Sequence, residues 1–101
     1  MISLKKREWG YYITLLDRKH FKVKLLRFNK GKPCSNQYHN FRNELWLFLS
    51  GIGILNEQRV QQGDYVLVPE QHAHQYTPWS RTWVLEIQYG ETCEEKDIVR
   101  I

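Results

Sequence analysis

The segment "FKVKLLRF" (Phe21 to Phe28) sets Phe21, Val23 and Leu25 against Lys22 and Lys24. That two-residue period predicts a half-buried strand with its apolar set toward a core. "YYITLLD" (Tyr11 to Asp17) precedes it across a polar turn at Arg18 to His20, and "NKGKP" turns the chain after it. "ELWLFLS" (Glu44 to Ser50) predicts a strand too apolar to face water, and "GIGIL" bends into another. "VQQGDYVLVP" (Val60 to Pro69) predicts one strand entered through Gly63 and Asp64, and "TWVLEIQYG" (Thr82 to Gly90) the last long one. The tail "EEKDIVRI" (Glu94 to Ile101) reads as a single turn or an edge strand. No segment sustains a helical period. Roughly seven or eight short strands, spaced about ten residues apart, predict an all-β double-sheet jelly roll or small barrel.

Bulk properties narrow this picture. A chain of 101 residues is one small domain, spanning 1–101, that buries about two-thirds of its unfolded surface. Four Trp, six Tyr and four Phe in that length favour a β-rich, aromatic interior, and supply area for self-association as a homodimer. The net charge of +4 is uneven: residues 1–32 hold ten Lys/Arg against Glu8 and Asp17, giving +8, and the rest hold five against nine, giving −4. The favoured reading of the basic third is a solvated N-terminal hairpin whose lysines discourage edge pairing. Nucleic acid is a disfavoured partner, because the aromatics alternate with aliphatics in strand patterns rather than interleaving with cations. Cys34 and Cys93 are lone thiols without metal spacing, "MISLKKREW" lacks the apolar centre of a signal peptide, and no run approaches membrane-spanning length. A reducing, cytoplasmic setting away from membranes is expected.

The chemistry gathers in two stretches. Gln37 and His39 are two apart and share a strand face, whereas Glu44 has the opposite parity and joins them only if the chain bends within "NFRN". His74 arrives from a second stretch, "GDYVLVPEQHAH". Two imidazoles, a carboxylate and an amide oxygen suit a divalent metal and leave positions open for water or substrate. Zinc is the leading choice, with iron, manganese, nickel or cobalt as alternatives. A carboxylate opening the apolar strand at Glu44 is costly to bury alone, and a metal or Arg42 relieves that cost.

The spacings in both stretches resemble the two motifs of the cupin superfamily, with Gln37 where many cupins have their first histidine. Among cupins the chain resembles the C-terminal domain of type II mannose-6-phosphate isomerases. "REWGYY" is similar to that domain's opening, "QYHNFRNELW" to its glutamine–histidine–arginine–glutamate–tryptophan core, "GDYVLVPEQHAH" to its second motif and "DIVRI" to its closing segment. The resemblance covers residues 7–101 and implies a cupin double-stranded β-helix. It carries Gln37, His39, Glu44 and His74 over as metal ligands, and Arg42 and Arg100 as contacts for a substrate phosphate. Three departures stand out. Asn40 and Phe41 follow His39 where the family has further histidines, Gln71 takes the place of a turn glycine, and the sequence stops at Ile101 before the residues that usually follow.

Two functions follow. The first is metal-dependent aldose–ketose isomerisation of a sugar phosphate. Glu44 or His72 is the base, Arg42 and a lysine of the basic hairpin hold the phosphate, and Trp79 stacks on the sugar ring at the mouth of the cup. The second, supported by the departures, is a non-catalytic, even metal-free, cupin that binds a sugar or sugar nucleotide as a sensor or accessory subunit.

Overall fold

A computed structural model describes residues 2–101. Eleven strands follow in chain order: β1 (Ser3–Arg7), β2 (Gly10–Asp17), β3 (Phe21–Phe28), β4 (Gln37–Tyr38), β5 (Arg42–Ser50), β6 (Ile52–Leu55), β7 (Gln58–Gln61), β8 (Tyr65–Val68), β9 (Tyr76–Pro78), β10 (Thr82–Gly90) and β11 (Val99–Arg100). A six-stranded sheet in the order β1-β2-β3-β10-β5-β8 forms one wall. The smaller sheets β7-β6-β9 and β11-β4 form the other. All pairings are antiparallel, so the domain is the all-β jelly roll that the strand spacing predicts. Among the described residues no helix is long and apolar enough to cross a membrane.

One predicted strand divides, and two other readings take definite form. The stretch Val60 to Pro69 is not one strand: Gln62–Asp64 turns the chain, with the Gly63 N–H donating to the Phe48 carbonyl at 2.8 Å, and divides it into β7 and β8. The tail supplies both a turn and the short β11, which pairs Val99 with Tyr38. The basic N-terminus does form a hairpin, β1 against β2. Between β5 and β6 the chain reverses at Gly51, whose φ of 90° puts a would-be Cβ 2.5 Å from the Arg81 carbonyl oxygen, so no other residue fits.

The larger correction concerns the phase of β3. Lys22 and Lys24 are buried, at 5% and 4% exposure, and Phe21 is 45% exposed. The period is as read from the sequence, but the faces are exchanged. Two lysines turn inward because acidic partners meet them there: Lys22 lies 3.5 Å from Asp17, and Lys24 donates to the Glu95 carboxylate.

The inward faces of the three central strands share one design. β3 presents Lys22, Lys24, Leu26 and Phe28; β10 presents Gln88, Glu86, Val84 and Thr82; β5 presents Glu44, Trp46 and Phe48, with Arg42 ahead of them. The registers align these in rows, Lys22–Gln88–Glu44, then Lys24–Glu86–Trp46, then Leu26–Val84–Phe48. The barrel is therefore polar at one end and apolar at the other. The apolar end closes over Phe28, Phe48, Tyr76, Leu55 and Val60. Burying side chains of that size stabilises the fold by about 1.5–3 kcal/mol each, which offsets the cost of the polar end.

Candidate metal and ligand site

The polar end begins with a bend. β4 carries Gln37, His39 follows it, and β5 begins at Arg42. Between them the Asp97 carboxylate accepts from the backbone N–H groups of Asn40 and Phe41, both at 2.9 Å. This is the bend that the parity of His39 and Glu44 requires, and it turns both side chains inward. Asp97 also fixes the imidazole: its carbonyl oxygen lies 2.6 Å from His39 Nδ1. A carbonyl oxygen can only accept, so Nδ1 donates to it and Nε2 is left facing the cavity.

Glu44, 1% exposed, is the hub. Its Oε2 accepts from Arg42 Nε at 3.0 Å and lies 3.1 Å from His39 Nε2. Its Oε1 accepts from Trp46 Nε1 at 2.8 Å and lies 3.6 Å from His74 Nε2. Burial works against the charge on this carboxylate. The His39 hydrogen bond and the charges of His74 and Arg42 outweigh it, and hold the carboxyl well below its ordinary range. His74 reaches the site through backbone hydrogen bonds to Gln37 at 3.0 and 2.7 Å, and its ring stands edge-on to Trp46. Burial lowers the His74 pKa, against the pull of Glu44.

The donor atoms of His39, Glu44 and His74 all lie within 4.8 Å of one another. Two imidazoles and a carboxylate at that spacing fit a divalent cation, and the Asp97 contact is the outer support a ligating histidine needs. Gln37 lines the same cavity, with its Nε2 3.2 Å from Ser35 Oγ. Arg42 is a competitor for the position. Its Nη2 lies 3.2 Å from His39 Nε2 and its Nη1 donates to the Glu94 carbonyl at 3.0 Å, so the guanidinium already neutralises the cluster.

The cavity holds about 140 Å³. Beside Glu44 on the same sheet, β10 and β3 add Glu86, Gln88 and Lys24 to its lining, three residues absent from the sequence expectation. Burial, reinforced by the negative charge of Glu44 and opposed by Lys24, pushes the Glu86 carboxyl up to about 8. Gln88 Nε2 donates to Glu86 at 2.7 Å, while Gln88 Oε1 has no partner among the described residues. The signal for this wall lies in "VLEIQ", where two polar residues share one parity inside an otherwise apolar strand. Asp97 gave no such signal, because its role depends on backbone groups 56 to 57 positions away.

The remaining expected residues divide. Arg100 lines the cavity together with Arg7. Arg42 lies inside, but Glu44, His39 and Glu94 already take up its donors. His72 and Trp79 do not line the cavity. A turn at Gln71, with φ of 64°, breaks the strand that would have kept His72 on the face of His74, and the exposed His72 ring pairs with the Glu70 carbonyl at 3.1 Å. Trp79 sits at the apolar end of the barrel, where its N–H donates to the Ile52 carbonyl at 2.8 Å.

Comparison with known proteins matches this architecture. Residues 3–101 fit the family model described as "Mannose-6-phosphate isomerase C-terminal". A mannose-1-phosphate guanylyltransferase of Sinorhizobium fredii is 31% identical over 94% of this chain and 20% of its own length. One from Escherichia coli is 29% identical over 94% of this chain and 21% of its own. The chain thus spans about a fifth of the length of these curated relatives. Among solved structures, oxalate decarboxylase from Bacillus subtilis superposes with a TM-score of 0.85 at 14% identity, over 99% of this chain and 30% of that one. KdgF from Halomonas sp. gives 0.79 at 13% identity, over 93% and 89%. These two likenesses show the cupin fold; the family match over nearly the whole chain shows more. The chain belongs to the family of mannose-6-phosphate isomerase C-terminal domains.

Proposed function

We propose that the polar end of the barrel is the active site of a metal-dependent aldose–ketose isomerase acting on a phosphorylated sugar. One observation carries this reading: three metal-type donors converge in a cavity whose lining also holds Arg7, Arg100 and Lys24. His39, Glu44 and His74 would hold the ion, zinc in first place, with Gln37 beside them. A bound divalent ion would polarise the carbonyl and neighbouring hydroxyl oxygens of the sugar. Arg7 and Arg100 attract the phosphate electrostatically. Isomerisation moves one proton between adjacent carbons through an enediol, so a base in the cavity must take it up and return it. Glu44 lies at the ion's place and is held ionised, and Glu86 sits beside it on the neighbouring strand β10. The curated relatives named for mannose 1-phosphate support the sugar-phosphate class. Both cysteines are free and buried, in keeping with a reducing cytoplasm.

The test is the metal content of protein purified without added metal, followed by conversion of mannose 6-phosphate to fructose 6-phosphate by the loaded protein. Near-stoichiometric metal, lost in a folded His39→Ala/His74→Ala variant, together with turnover, is the expected result. Absence of metal uptake and of turnover overturns the proposal. A second reading, a non-catalytic sugar-binding cup, rests on Arg42, whose guanidinium already engages Glu44 and His39. It predicts mannose 6-phosphate binding without turnover, unchanged by chelators.

A further inference from the structure

The outward face of the six-stranded sheet is apolar along continuous rows. One row runs Leu4–Ile13–Leu25–Leu85–Leu47–Tyr65 across all six strands. The next runs Leu16–Val23–Ile87–Leu45–Leu67. None of these side chains is fully buried, and Leu4, Tyr65 and Leu67 are 55%, 70% and 57% exposed. Aromatic rows flank them, Tyr11 and Trp83 with Arg27 between on one side, and Phe21 with Tyr89 on the other. This is where the exchanged phase of β3 leads: its lysines enter the cup, and Val23 and Leu25 face out.

We propose that this face is the interface of a homodimer, two copies packing sheet against sheet. The size of the face suits it. Six strands about 4.8 Å apart span about 24 Å, and four rows about 7 Å apart span about 20 Å, so with side-chain width the face covers roughly 700 Å². Specific interfaces bury about 600–1,000 Å² on each partner, and a soluble monomer ordinarily exposes patches of only about 300–600 Å².

Charge sets the orientation. The β1 edge carries Lys6 beside Leu4, and the β8 edge carries Asp64 at its start and Glu70 beyond its end. A two-fold axis parallel to the strands lays the β1 edge of one copy over the β8 edge of the other, with Lys6 near the partner's Asp64. An axis across the strands would oppose β1 to β1 and lysine to lysine. The aligned arrangement is the usual one for packed sheets. This proposal rests on the sheet alone and is independent of the activity assigned to the cup.

The test is mass by light scattering, over a dilution series of the full chain, with dimer dissociation constants by analytical ultracentrifugation. The expected mass is twice the 12.3 kDa of one chain. Leu85→Lys at the centre of the face and Leu67→Lys near its edge are each expected to raise the dissociation constant at least about thirtyfold, the equivalent of a 2 kcal/mol anchor. Leu67 is already exposed, so its variant keeps the measurement decisive if Leu85→Lys fails to fold. Lys6→Glu should weaken the dimer, and adding Asp64→Lys should restore it. A monomer at every concentration overturns the proposal, and so does a dimer indifferent to both leucine variants. Failure of the charge exchange to restore association overturns the orientation.

Discussion

Asp97 holds His39 in two ways. Its carbonyl oxygen lies 2.6 Å from Nδ1 of the imidazole, and its carboxylate accepts from the next two backbone N–H groups along the chain. The first contact sets the tautomer and the second sets the bend that points the ring at Glu44. Replacing Asp97 by Ala leaves two donors without their acceptor and releases the bend. The expected loss is about 2–4 kcal/mol of stability and about 10- to 100-fold in metal affinity. Asp97→Asn, which keeps one acceptor, should fall between. Urea unfolding and zinc titration read the two effects, and an Asp97→Ala protein with unaltered zinc affinity would remove Asp97 from the site.

The sequence offers Glu44 or His72 as the base, and the fold buries Glu44 in the cluster while it leaves His72 on an exposed turn. Glu44→Gln should abolish turnover while circular dichroism stays that of a folded protein, because the amide retains the shape of the hub and loses its charge. His72→Ala should keep turnover within about twofold, since the ring lies on an exposed turn. Loss of activity in His72→Ala would return that residue to the mechanism.

Glu86 gives stability a pH dependence that can be isolated in chelator-treated protein. Its carboxyl is pushed up to about 8 by burial and by the charge of Glu44, against an ordinary value of 4.5. A folded pKa raised above the unfolded one contributes stability in full below about 4.5, and that contribution is lost as pH rises through about 8. The melting temperature should therefore fall between pH 5 and pH 9 (about the span of that shift), and Glu86→Gln should flatten the fall. Glu44 acts in the opposite direction, its contribution being lost on acidification, so the two variants should tilt the profile in opposite senses.

Gln71 occupies a left-handed conformation, φ 64°, that favours glycine. Relief of that strain is worth about 1–2 kcal/mol, and the added freedom of a glycine in the unfolded chain takes back about 0.5–1 kcal/mol. Gln71→Gly should therefore stabilise the protein by about 0.5–1 kcal/mol, read as a higher urea midpoint at unchanged slope. The Gln71 N–H donates to the His39 carbonyl at 2.6 Å, so the backbone there is held whatever the side chain. A lower midpoint would show that the side chain does more than endure its conformation.

What the sequence disclosed and what it withheld divide along physical lines. The fold was legible because alternation and turn residues are local, and the metal-type cluster because Gln37, His39, Glu44 and His74 stand at motif spacing. The phase of β3 was not, since period two says that a strand has two faces and not which is inside. Both faces of this sheet are largely apolar at one end, and the lysines turn inward because Asp17 meets Lys22 and Glu95, 71 positions from Lys24, meets them both. His72 was misplaced for a related reason: one residue at positive φ shifts the parity of those around it. Asp97 and Glu95 act through contacts that only the closed barrel makes.

The lengthwise division of β3, β5 and β10 has a consequence for how such a domain can change. The side chains that keep the barrel shut and those that line the cup each alternate with the outer face but not with one another; they occupy separate ends of the same strands. A handful of inward positions, such as Lys24, Glu86 and Gln88, can be rewritten while Leu26, Val84 and Phe48 continue to hold the walls together. A chain of 101 residues can in this way exchange one chemistry for another, or give up catalysis for recognition, by substitutions confined to one rim.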